Sequence, residues 1–97
     1  MSRSLLERKL SEVTGRMQVL RDELRVAEEQ LQALAEEADE ARIRALVSET
    51  PLAEREHAEA QRHADAMARH RAAVQAELDD LERAQDDLLD RLIAQSR

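Results

Sequence analysis

The sequence has no cysteine, no phenylalanine, no tryptophan and no tyrosine, and only one glycine and one proline. Each absence removes a class of protein. Without cysteine there is no disulfide framework and no thiolate site. Without aromatic residues, a compact globule of 97 residues loses the bulky side chains that usually fill its core. No apolar run approaches the ~18 residues of a membrane span. The first residues, Met1 to Glu7, lack the apolar stretch of a signal peptide. A net charge of −7 argues against direct phosphate-led binding of nucleic acid. An acidic chain also lacks the Lys/Arg face of a membrane-surface helix. The expectation is a soluble, cytoplasmic protein. Fourteen arginines against one lysine suggest a GC-rich bacterial genome.

What is present is alanine, leucine and charge. There are 17 Ala and 14 Leu, and 38% of residues are charged. Such a composition suits long helices that meet along a narrow seam. Disorder would need an aperiodic apolar pattern, and this pattern is periodic. From Leu6 the series runs Leu10, Val13, Met17, Leu20, Leu24, Ala27, Leu31, Leu34, Ala38, Ala41 and Ala45. The spacing alternates four and three, which is a heptad seam. Ser4 with Glu7 reads as a capping box at its start. Gly15 falls at an outward f position, where it disturbs no core.

The pattern stops at Ser48-Glu49-Thr50-Pro51. Pro51 cannot continue a helix but suits its first position, with Thr50 as N-cap. A second series follows: Ala53, His57, Ala60, Ala64, Met67, Arg71, Val74, Leu78, Leu81, Gln85, Leu88 and Leu92. Paired from the turn outward, 45 with 53 through 6 with 92, the two positions of every layer sum to 98. The reflection axis is therefore residue 49, inside the turn. Twelve layers would not share one register by chance. The expected fold is all-α, an antiparallel two-helix coiled-coil hairpin occupying residues 1–97 as one domain. Helix 1 is expected over about 4–47, the turn over 48–51 and helix 2 over about 51–95. A continuous rod would need a helix through Thr50-Pro51, at a cost of ~3 kcal/mol or more.

The layers match in size. Arg71 faces Ala27 and His57 faces Ala41, so small residues leave room for long side chains to reach water. Layers near the open end are Leu–Leu and Met–Leu; those near the turn are Ala–Ala. The register also sets Arg42 by Glu54 and Arg44 by Glu56, whereas Glu23 by Glu77 and Lys9 by Arg91 are unfavourable.

Catalysis finds no foothold in this pattern. His63 and His70 are seven residues apart, ~10 Å along a helix, too far for one zinc ion. There is no triad-like histidine context and no glycine-rich phosphate loop. No catalytic, cofactor-binding or metal residue is expected, and the protein is not expected to be an enzyme.

Interaction residues are more legible. Ile43, Leu46 and Val47 occupy f, b and c positions, and Leu52 lies just past the turn. With Glu49 they form a candidate partner-binding tip. Leu46 and Leu52 also sum to 98, so closure of the hairpin end against each other is the plain alternative, and local splaying a third. A second set, Leu5, Val19, Val26, Leu89 and Ile93, offers surface for self-association into a homodimeric four-helix bundle. Scattered exposed aliphatics are its plain reading. The acidic run Asp79, Asp80, Glu82, Asp86, Asp87 and Asp90 reads as a solvated face, with docking of a basic partner as the alternative.

The stretch Arg44-Ala45-Leu46-Val47-Ser48-Glu49-Thr50-Pro51-Leu52-Ala53-Glu54-Arg55-Glu56-His57, continuing through Gln61 to Met67, resembles small uncharacterised coiled-coil proteins of actinobacteria. That resemblance implies the helical hairpin and no activity. More distantly, the hairpin is similar in shape to the N-terminal domain of the Gre-type transcript-cleavage factors. These enter the secondary channel of RNA polymerase and present acidic residues at the tip. By that resemblance Glu49 and Glu54 would take the acidic role. The chain departs from it in having no C-terminal globular region and a tip more aliphatic than acidic. The expected function is thus a protein–protein interaction or scaffold module. The alternative is a regulator that inserts its tip into a large enzyme such as RNA polymerase.

Overall fold

The computed structural model describes residues 2–96. They form two α-helices, α1 (Arg3–Ser48) and α2 (Pro51–Gln95), joined by Glu49 and Thr50. The architecture is an all-α helical hairpin. Both helix ends at the turn lie within a residue of the bounds read from the sequence, with Ser48 completing α1.

The start of α1 differs from the expected capping box. Ser2, not Ser4, is the N-cap: its Oγ accepts from the Leu5 N–H at 3.2 Å. Ser4 is already helical, and Glu7 instead accepts from the Arg3 guanidinium at 3.0 Å. Either serine can cap; starting at Ser2 gains two helical residues and an i,i+4 ion pair.

The turn follows the sequence chemistry. Thr50 Oγ1 accepts from the Ala53 N–H at 3.2 Å, which is N-cap geometry with Pro51 at the first helical position. The Ser48 hydroxyl folds back to donate to the Arg44 carbonyl at 2.6 Å. Glu49 then leaves α1 with φ of 52°, in the left-handed region. A non-glycine residue pays about 1–2 kcal/mol for that conformation. The axis of the mirror register is thus also the residue that reverses the chain.

The seam is the one read from the spacing. All 24 series positions are buried or half-buried, and only four other described residues reach that class: Glu23, Gln75, Asp79 and Ala84. The chain divides into two compact units, residues 2–24 with 73–96, and residues 25–72. In the first, Met17, Leu20, Val74 and Leu78 form a core against which Val13, Leu24 and Leu81 pack. Both members of three expected layers, 17 with 81, 20 with 78 and 24 with 74, fall in it. In the second, the buried side chains are Ala27, Ala38, Ala41, Ala53 and Ala64.

Polar seam residues are accommodated as their small partners allow. Ala27 is buried opposite Arg71, whose guanidinium reaches out to Glu28 at 3.7 Å. Gln85 likewise turns its amide outward to Thr14 Oγ1, at 3.2 Å. The charge pattern on the flanks differs from the expected one. Arg42 pairs with Asp39 on its own helix, at 3.8 Å, rather than with Glu54. An i,i+3 neighbour needs less side-chain ordering than a cross-helix one. Glu77, set by Glu23 in the expected register, is held by Arg16 at 3.2 Å. Arg91 turns from Lys9 to Asp87, at 3.0 Å.

Candidate functional site

The tip is built by the end of α1 and the first turn of α2. A seam residue on either helix is covered by its partner; the f, b and c positions beyond it are not. Ile43, Leu46, Val47 and Leu52 are 54%, 66%, 81% and 59% exposed. Leu46 and Leu52 therefore do not close the hairpin end by burying one another.

Three of these residues converge. Ile43 and Val47 lie one turn apart on α1, and the Glu49–Thr50 reversal brings Leu52 beside them. Together with Arg44, Ser48, Thr50, Ala53 and Glu56 they line an open groove of about 390 Å³. Leu46, at a b position, stands on the other flank and takes no part in it. Arg44 and Glu56, read from the sequence only as a charge pair, are walls of this groove. They also border a second hollow of about 250 Å³, whose floor is Leu34, Ala41 and Ala60 and whose rim is Glu37, Glu59 and His63. The signal was in the sequence: Arg44, Glu56, Glu37 and His63 all occupy g positions, which share one flank of an antiparallel pair. Glu49 is exposed at the point of reversal.

The second candidate set does not form one surface. Leu5, Val19 and Val26 are c residues, 37%, 53% and 41% exposed. Leu89 and Ile93, 41% and 54% exposed, are e and b residues. Position c adjoins the g flank, where Arg16 meets Glu77; e and b lie on the other flank, where Thr14 meets Gln85. The grouping made from the sequence thus separates into two faces. A further groove on the g flank, of about 430 Å³, is lined by Lys9, Glu12, Val13, Ala84, Asp87, Leu88 and Arg91.

Among the described residues no three His, Asp or Glu side chains gather to hold a metal ion. No helix among them is long and apolar enough to cross a membrane. No family model, curated protein or solved structure matches the chain.

Proposed function

We propose that the chain is a non-enzymatic protein–protein interaction module of the cytoplasm, acting through its tip without a cofactor. One observation carries this reading. The seam covers its own apolar residues, yet Ile43, Val47 and Leu52 are left uncovered around a single groove. Exposed aliphatic side chains that converge around a concavity suit a protein partner more than scattered ones do. Self-association through Leu5, Val19 and Val26 into a four-helix bundle would extend the same role to a scaffold.

The test is a double change, Ile43→Asp with Val47→Asp, in the full chain. Both residues are exposed, so the melting temperature should stay within about 2 °C of the parent. Capture of the partner that co-purifies from native cells should fall at least tenfold. Unchanged capture would exclude the tip. The reading in which the tip enters a large enzyme such as RNA polymerase draws on Glu49, exposed at the reversal. It predicts that Glu49→Gln with Glu54→Gln removes the effect on that enzyme while the aliphatic groove still binds.

A further inference from the structure

Outside the seam, in the 25–72 unit, the charged residues at the outermost f positions differ in sign between the two helices. On α2 the f residues of the 25–72 unit are Arg55, Arg62 and Arg69, all exposed. Seven residues rise about 10.5 Å along a helix, so the three form an evenly spaced row. Among the described residues none of the three makes an ion pair or side-chain hydrogen bond. Glu59 and Asp65 stand within one turn of the row, yet Asp65 accepts from the Gln61 amide instead, at 3.0 Å.

On α1 the f residues of the same unit are Glu29 and Glu36, followed toward the tip by Ile43. Their engagements are local and loose. Glu29 lies 3.6 Å from Arg25 with its side chain 68% exposed, and Glu36 accepts from Gln32 at 3.4 Å.

Position f is farthest from the a/d seam, so the two rows occupy opposite edges of the hairpin. A molecule with one acidic and one basic edge at the same spacing is complementary to a copy of itself. The f positions obey the same sum of 98 as the seam. A second copy placed alongside with its tip level therefore opposes its Arg69 to Glu29 and its Arg62 to Glu36. The same placement sets its Leu52 against Val47, and the stem of its Arg55 against Ile43. The charge pairs thus arrive together with a contact between aliphatic residues that the single chain leaves exposed.

We propose that the chain associates edge to edge with further copies of itself, the α1 acidic edge of one against the α2 arginine edge of the next. The two edges differ, so the contact is heterologous. Each added copy leaves one edge of each sign free, and association does not stop at two. This sets it apart from the isologous bundle that the exposed c residues would form, and it does not depend on the tip groove having a separate partner.

Exposed charge pairs are individually weak and screened by salt. The measurement is therefore sedimentation velocity of the full chain up to roughly 1 mM, in about 10 mM and about 500 mM salt. At low salt the average mass should climb with concentration past 11.1 kDa and past twice that value, and at high salt it should return to the single chain. Arg62→Glu with Arg69→Glu makes both edges acidic and should weaken association roughly tenfold or more. Glu29→Arg with Glu36→Arg makes both edges basic and should do the same. Mixed in equal amounts, the two variants should associate more tightly than either alone, a gain that no folding defect can produce. Four results would each overturn the proposal: a mass independent of concentration at low salt, a salt-insensitive plateau at the dimer, no gain on mixing, or a single-chain wild type whose arginine row binds only an added polyanion such as polyglutamate.

Discussion

The two units of the hairpin bury different side chains. In residues 2–24 with 73–96 the buried set is Leu6, Met17, Leu20, Val74, Leu78 and Leu88. In residues 25–72 it is alanine throughout. Fully burying a leucine or methionine stabilises by about 1.5–3 kcal/mol, whereas an alanine methyl gives roughly 0.8 kcal/mol. The unit with the open ends therefore carries most of the packing energy. The unit with the turn has the three most exposed large aliphatics, Val47, Leu46 and Leu52. Holding the chain together and offering it to a partner are assigned to different stretches of the same two helices.

Substitutions can break this comparison, and the largest effect should come from the leucine-rich unit. Leu20 is 1% exposed in the cluster with Met17, Val74 and Leu78. Leu20→Ala should cost about 2–5 kcal/mol in denaturant unfolding, through lost burial and the cavity left behind. A cost under 1 kcal/mol would mean that the two units contribute alike. The converse change comes next. Ala38 is 4% exposed and faces Ala60 in the register. Ala38→Leu should destabilise by about 1–3 kcal/mol, because the added methylenes must push the helices apart. Stabilisation would show instead that the alanine layers are loosely packed. The smallest change lies at the reversal. Glu49→Gly removes the penalty of φ 52°. It should raise stability by about 0.5–1 kcal/mol after the extra freedom of glycine in the unfolded chain is counted. A loss on thermal melting would mean that the Glu49 side chain supports the turn.

Much of the fold was legible because a heptad seam is a local code. Whether a residue on a long helix is buried depends on its position modulo seven, and the two series give those positions without any knowledge of the partner helix. The turn was legible for a similar reason: Pro51 cannot continue a helix but suits its first position, and Thr50 suits the N-cap before it. The choice of cap at the other end was not. Ser2 and Ser4 are chemically equivalent there, and the Arg3–Glu7 pair that goes with the earlier start is a matter of side-chain geometry. The pairing of the flank charges escaped for the same reason. Arg42, Arg16 and Arg91 each had several carboxylates within reach, and the choice among them turns on tenths of a kcal/mol.

The candidate site was read in its residues but not in its arrangement. Exposure followed from heptad position, so Ile43, Leu46, Val47 and Leu52 were identifiable as uncovered. Heptad position sets Leu46 on the other flank, but that Leu52 joins Ile43 and Val47 around a groove depends on how the Glu49–Thr50 reversal sets α2 beside α1. The sequence by itself determined the two helices, their register and the list of aliphatic residues that the seam leaves out, because each of these depends on spacing along one chain. Only the tertiary structure decided that Ile43 and Val47 of α1 and Leu52 of α2 enclose one groove, and that Arg16 crosses to Glu77. Those outcomes depend on how two helices sit around a shared seam, a relation between residues far apart in the chain.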